Sequence, residues 1–357
     1  MNQKLLILLI VVTAFASFLA GYLLTSKDAG RSALEEQRGL LIDRFDGIAG
    51  GATPTPLPAG LLKAADESAL GLTSALGENA VLFYHADSGY VSKLDLETRA
   101  GTLISKTSLP GLTDILWSPD KNRVITVTQK RTGPAYTFFD YHTREFGDLG
   151  RNIGSAVFSP DSRRIALFRT KDSGSEIQIS DFNGRNSRTL LKTRLENVRL
   201  FWPRENMLAF TASDYDQTSQ SFYALSPEGE LMELASGAEN LSAQWSHDGS
   251  RVIFSQREGD RYVLGLYDTA AKKTLVLPLG ARASDCAWSL DGTKIYCSIQ
   301  TSGETSIVLI SLLDNQTTVL FSGLAIVPED IFLSHLENFL VMTNFADKSI
   351  WAVKLAP

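Results

Sequence analysis

Histidine is scarce in this chain, with four residues, and cysteine scarcer, with two. Catalysis or metal binding built on imidazole and thiolate clusters has little to work with. No His-Glu-x-x-His, Cys-x-x-Cys, Gly-x-Gly-x-x-Gly, Gly-x-Ser-x-Gly or P-loop pattern occurs. No catalytic residue, metal site or cofactor is therefore expected. Positive charge is in short supply too: 34 Lys and Arg against 40 Asp and Glu leave a net charge of −6. Without a bulk positive field, nucleic acid is not expected as a partner. With 44% hydrophobic and 21% charged residues, the composition excludes a disordered chain, a collagen-like chain and a polytopic membrane protein. The 357 residues suffice for about two average domains, or for one long all-β unit.

One long apolar run stands at the start. Lys4 is followed by Leu5 to Leu24, twenty residues broken only by Thr13, Ser17 and Gly21 among small or apolar neighbours. At about 1.5 Å per residue, a helix of that length spans about 30 Å of hydrocarbon. The expectation is an uncleaved single-pass anchor within residues 1–26, with the remainder on the extracytoplasmic side of the cell membrane. The competing reading is a cleavable signal sequence, because Ala14-Phe15-Ala16 has the small-x-small pattern of a signal-peptidase site. Residues 27–60 then read as an amphipathic helix and a tether. Leu34, Leu41, Phe45 and Ile48 fall at helical spacings among charged neighbours. The following Gly50 to Pro58 stretch alternates prolines that hold the chain extended.

The rest, 61–357, is organised by a repeat. Leu116-Trp117-Ser118-Pro119-Asp120 recurs as Val157-Phe158-Ser159-Pro160-Asp161, as Gln244-Trp245-Ser246-His247-Asp248-Gly249 and as Ala287-Trp288-Ser289-Leu290-Asp291-Gly292. Decayed copies are Phe201-Trp202-Pro203-Arg204 and Leu333-Ser334-His335-Leu336. The anchors Trp117, Phe158, Phe201, Trp245, Trp288 and Leu333 are separated by 41, 43, 44, 43 and 45 residues. Seven residues after each comes an apolar position: Val124, Ile165, Leu208, Val252, Ile295 or Leu340. Each unit reads as four short strands, as in the one ending at Trp245 followed by Arg251–Gln256, Arg261–Tyr267 and Lys273–Leu277.

Turn chemistry accounts for the motif. Pro sets the first central φ of a tight turn, Asp bonds back to nearby backbone, and Gly accepts the positive φ that follows. The aromatic anchor fills space between units. A sheet of this kind is apolar on both faces, so units must stack and the ring must close. Upstream, Thr73 to Gly77, Ala80 to Tyr84 and Tyr90 to Asp95 repeat the order, which makes seven blades of four antiparallel strands; six blades with a separate hairpin is the alternative. The chain ends short of an outer strand for the last unit, which either borrows one near Leu61 to Ala65 or keeps three.

The Trp-Ser-Pro-Asp phrase, the apolar position seven residues on, and the strand end from Tyr262 to Asp268 resemble the WD-repeat-like propeller units of the TolB type, over about residues 70–357. The resemblance is strongest at Trp117–Asp120, Phe158–Asp161, Trp245–Gly249 and Trp288–Gly292. It implies an all-β propeller that binds proteins or polymers across one face. The separate α/β domain that precedes the propeller in TolB itself has no counterpart in this sequence, so the resemblance extends to the blade type and not to TolB's role.

Candidate residues are few. If Trp288 faces Ile295 across a hairpin, Cys286 faces Cys297, and antiparallel partners approach closely enough for a disulfide; a one-residue slip would leave two free buried thiols. His247 and His335 occupy the Pro slot of the turn in units two apart, and are expected as exposed turn residues rather than metal ligands. Asp214-Tyr215-Asp216 reads as a polar loop, not a calcium site. Arg131 and Tyr136 around Gly133-Pro134, and Tyr215, are the candidate contacts on loops. The reading is a membrane-tethered interaction module for a protein or cell-envelope polymer. The alternative is a propeller enzyme, a polysaccharide lyase or glycosidase, marked by paired carboxylates or a histidine cluster converging on the central channel. A purely structural role in assembly through the N-terminal segments is a third.

Overall fold

The computed structural model describes residues 60–355 except 172–173, 214–218, 260 and 302. The expected anchor, its cleavage site and the amphipathic segment lie outside the described residues. Among the described residues no helix is long and apolar enough to cross a membrane, and a 3-10 turn at Ala283–Asp285 interrupts an otherwise all-β chain.

The strands form antiparallel sheets in chain order. Four-stranded sheets cover 69–105, 112–148, 153–193 and 286–324, and a seven-stranded sheet covers 196–276. In the seven-stranded sheet the strand Leu231–Trp245 serves twice. Its first half pairs with Gln220–Leu225 and its second half with Arg251–Glu258, so it ends one repeat unit and begins the next. The last sheet is built from both ends of the domain. Pro328–Leu333, Phe339–Asn344 and Ile350–Lys354 take Leu61–Ala65 as their fourth strand, with Leu61 opposite Val353 and Leu62 opposite Ala352. The final unit thus borrows a strand from residues that precede all the others.

Register follows the seven-residue spacing. Trp117 pairs with Val124, Phe158 with Ile165, Trp245 with Val252, Trp288 with Ile295 and Leu333 with Leu340. The decayed fourth copy departs: Phe201 pairs with Ala209 rather than Leu208, and the turn tightens to the two residues between Arg204 and Met207. Without the serine of the motif, nothing holds the longer turn open.

That serine is the element the sequence reading did not single out. Ser118, Ser159, Ser246 and Ser289 are buried. Each hydroxyl donates to the Asp two residues on, at 2.5–2.7 Å. The same oxygen accepts the backbone N–H five residues on, at 2.9–3.0 Å. Each turn then closes by an i to i+3 backbone bond, such as Lys121 N–H to the Ser118 carbonyl. The third residue after the serine is left-handed in five copies, with φ of 57–66° at Lys121, Ser162, Gly249, Gly292 and, after Leu336 in place of Asp, Glu337. Only at Gly249 is glycine also required by space, since a Cβ there would meet the Pro203 carbonyl oxygen at 2.4 Å.

Packing joins each unit to the next. Seven apolar clusters occur among the described residues, and each spans two successive units. One packs Val81 and Phe83 against Phe339 and Val341, closing the circle between the first unit and the last. The anchors add directed contacts: the Trp117 indole N–H donates to the Gly71 carbonyl and that of Trp288 to the Gln244 carbonyl, each in the preceding unit. Arg123 spans the following boundary, pairing with the buried Asp140 at 2.7 Å while donating to the Ser162 carbonyl. Arg251 repeats this with Asp268 and the Gly292 carbonyl. Cys286 lies opposite Cys297, the sulfurs are bonded, and both residues are fully buried.

Three outcomes follow from these contacts. Ser118→Ala leaves the buried Arg123 N–H and the Asp120 carboxylate without their shared partner, and should lower unfolding free energy by about 1–3 kcal/mol in urea titrations. Denatured without reductant, the protein should take up no alkylating agent by mass spectrometry, and two equivalents after reduction. The third concerns acid. Burial pushes the Asp120, Asp161 and Asp248 carboxyls upward but is outweighed by hydrogen bonds from the turn, and Asp248 ends at about 2. At Asp291 the Ser289 hydroxyl and the Thr293 N–H lead the lowering. Folded values below the unfolded value of about 3.9 mean a contribution to stability that is complete above it and lost as pH falls through the folded values. Stability should therefore drop from about pH 4 to 2, and less steeply in Asp248→Asn.

Candidate functional site

The first strand of each unit lies innermost. Leu112–Trp117 touches Ala69–Ser74 on one side and Ile153–Phe158 on the other, and Cys286–Trp288 touches Leu231–Trp245 and Pro328–Leu333. Pro328–Leu333 in turn touches Ala69–Ser74. The serine-bracketed turns that follow these strands therefore rim one end of the ring axis. Because the bracket is made by Ser, Asp and backbone, the side chains in the Pro slot and the left-handed slot take no part in it and can serve elsewhere, as Ser162 does by accepting the Asp120 N–H of the preceding unit.

Basic groups gather at this mouth. Lys121 reaches back one unit, its ammonium donating to the Thr73 hydroxyl at 2.9 Å. Burial drives its amine down to about 8, against the opposing pull of Asp120. His247 is open to solvent, yet enough protein surrounds it for burial to lower its pKa. Its ring donates to the Trp288 carbonyl, Glu337 favours its charged form, and Lys121 and His335 disfavour it. Lys121, His247 and the turn carrying His335 and Glu337 come from three different units whose first turns rim the same end of the axis. Glu337 accepts the Leu290 N–H, and His335 Nδ1 is buried without a hydrogen-bond partner. Three leucines from consecutive units stand beside them: Leu290 is 43% exposed, Leu336 49% and Leu76 46%.

Deeper along the axis the charge changes sign. Asp114, Asp285 and Asp330 each stand three residues before an anchor, Asp114 and Asp330 on innermost strands and Asp285 at the end of the 3-10 turn that leads into one. Asp285 is paired with Arg282 at 2.8 Å. Asp330 has no such cation close by: burial first, then repulsion from Glu329 and Asp114, raises its carboxyl above the usual range, while a 3.3 Å bond from the Thr343 hydroxyl and the more distant Lys348 oppose this. Among the described residues no group of three His, Cys, Asp or Glu is placed to hold a metal ion.

The anticipated residues distribute as follows. Trp117, Phe158, Trp245 and Trp288 serve packing between units, and Asp120, Asp161, Asp248 and Asp291 serve the turns. Arg131 is exposed in the two-residue turn between Arg123–Lys130 and Gly133–Asp140, at the opposite end of the ring from the serine turns. The hairpin is long because its strands are, not its loop. Tyr136 is not a contact: it is 8% exposed within Gly133–Asp140 and packs with Ile125, Phe138 and Ile153. Alternation along the strand turns it inward. Tyr215, with Asp214 and Asp216, lies outside the described residues. His247 is exposed in its turn, as expected, while His335 is half-buried in its own, with Nδ1 out of contact with solvent. A second turn motif also escaped notice. Asp95, Asp140 and Asp268 accept the N–H groups two and three residues on, where third strands lead into fourth. Asp-x-x-Thr at 95–98 and 140–143 was its signal.

No curated protein matches this chain. Among solved structures, an oligogalacturonate lyase from Vibrio parahaemolyticus is similar at a TM-score of 0.61 with 10% identity, covering 85% of this chain and 95% of that one. Hydrazine synthase of Kuenenia stuttgartiensis gives 0.58 at 13% identity over 86% and 98% of the two chains. The β-propeller domain of the Trilobed protease from Pyrococcus furiosus gives 0.55 at 15% identity over 82% and 97%. At such identities the likeness is one of fold. The family model of the TolB beta propeller domain matches residues 91–320; with the repeat, the antiparallel sheets and this match together, the chain belongs to the TolB-type β-propeller family.

Proposed function

We propose that this protein is a membrane-tethered, extracytoplasmic seven-bladed propeller that acts without catalysis, as an interaction module for a protein or cell-envelope polymer. The count of seven follows from reading the seven-stranded sheet as two blades that share the strand Leu231–Trp245, and agrees with seven inter-unit clusters. The extracytoplasmic address rests on the apolar run Leu5–Leu24 and on cysteines paired as an oxidising compartment permits.

The observation that carries the binding role is the turn end of the axis. Leu76, Leu290 and Leu336 expose apolar surface there beside Lys121 and His247, the mixture of an apolar centre and polar groups that partner surfaces use. A photo-crosslinking residue placed at Leu290 should yield a discrete adduct in intact cells, whereas one at Phe146, exposed on an outer strand, should not. Equal labelling at both positions would remove the case for this face. A second reading, an enzyme acting on polysaccharide, is favoured by Asp330, whose raised carboxyl facing other acids suits a general acid, and by the lyase among the similar folds. Depolymerisation of an acidic polysaccharide that Asp330→Asn abolishes would establish that reading instead.

A further inference from the structure

We propose that the cleft between the unit of residues 153–193 and the decayed unit that begins at Glu196 binds a small aliphatic carboxylate on Arg164 and Arg188. The inference rests on this one boundary and stands whether or not a macromolecule docks at the mouth.

Three arginines open second strands six residues after an anchor: Arg123, Arg164 and Arg251. Two of them are held from both sides. Arg123 pairs with Asp140 and Arg251 with Asp268, the residues opposite them on their third strands, and each also donates to a turn carbonyl of the next unit, that of Ser162 or Gly292. Arg164 has neither partner. Asp181 stands opposite it but accepts the Asn186 amide at 2.6 Å. The next unit is the copy without the serine, and its turn shrinks to the two residues between Arg204 and Met207. Among the described residues the Arg164 guanidinium therefore makes no hydrogen bond or ion pair, and it lies over the Trp202 ring at 5.3 Å. Its charge reaches Asp161, whose carboxylate is already engaged by the Ser159 hydroxyl and the Arg163 N–H.

The shortened turn leaves a cleft in front of that guanidinium. About 240 Å³ of space, partly open to solvent, is lined by Arg164, Arg188, Trp202 and Glu205, with Leu190 and Met207 among its apolar walls. Arg188 comes from the outer strand Arg188–Thr193; it is exposed, and among the described residues its guanidinium is also unpaired. A half-buried cation without a partner has lost water and gained nothing in return. A carboxylate supplies what both groups lack, because its two oxygens accept the parallel N–H groups of an arginine fork. The Trp202 face keeps the Arg164 plane in place, and the apolar walls suit a short carbon chain behind the carboxylate. Glu205 is the single acid on the lining, so two positive charges face one negative. The bulk charge of −6 matters less, since a half-buried site responds to its own neighbours more than to distant, screened charges.

Ligand-observed NMR titration of the full-length protein with butyrate, and separately with its uncharged isostere butyramide, tests this at neutral pH and constant ionic strength. Butyrate should bind saturably, and butyramide should not. Arg164→Gln and Arg188→Gln should each weaken butyrate binding by about tenfold. Glu205→Gln, which removes the opposing charge, should tighten it by about threefold, and Lys106→Gln, an exposed site elsewhere, should leave it unchanged. Arg188 is on the surface, so Arg188→Gln remains decisive if thermal melting shows that Arg164→Gln has lost its fold. Absence of saturable butyrate binding, equal binding of butyramide, undiminished affinity in Arg188→Gln, weaker binding in Glu205→Gln or a matching loss in Lys106→Gln overturns the proposal.

Discussion

A four-stranded sheet with apolar residues on both faces cannot stand in water, and this molecule is built to remove that difficulty by mutual cover. Each unit's faces are buried against its neighbours, which is why the apolar clusters lie between units and not within them. The condition is met at every boundary only if the first unit also meets the last. Phe83 and Val341 pack across that boundary, and the strand Leu61–Ala65 completes the last sheet with residues from the far end of the domain. Opening the ring would expose two apolar faces and a strand edge together, so closure is part of the folding free energy and not an ornament of it.

Within that frame the serine-bracketed turn separates support from display. Its work is done by a buried hydroxyl, a carboxylate and main-chain groups, so the other two turn positions accept Pro, His or Leu, and Lys, Ser, Gly or Glu, with the same backbone. A repeated scaffold can thereby present a different surface at each copy. In this protein the copies place Lys121, His247, Leu290 and His335 around one end of the axis, with carboxylates further in. The polarity along the axis is set by the sign of a few side chains at equivalent positions, and the fold itself is indifferent to it.

Much of the fold was legible because its causes are local and repeated. Trp117 with Val124 and Trp288 with Ile295 are seven apart and pair, since a hairpin with a fixed turn has a fixed register, and Cys286 then meets Cys297. The departure at Phe201 is equally local: the copy lost its serine and its register together. Tyr136 was misread because a Gly-Pro next to it suggested a loop, whereas the strand continued through and its alternation turned the ring inward. The histidines stand where their shared slot in the repeat puts them, on turns at one rim, and only the half-burial of His335 departs from the exposed position expected of it.

The amino-acid order by itself determined the repeat, the four-stranded unit and the turn chemistry, and made the pairing of the cysteines one of two outcomes that the register then decided, because hydrogen bonding and side-chain alternation act over a handful of neighbouring residues. Tertiary structure decided between the two ways of completing the last unit, in favour of the strand Leu61–Ala65, and which side chains the turns leave buried or exposed at the rim. Those outcomes depend on distances across the circle, and a circle's diameter is set by all its units packing at once.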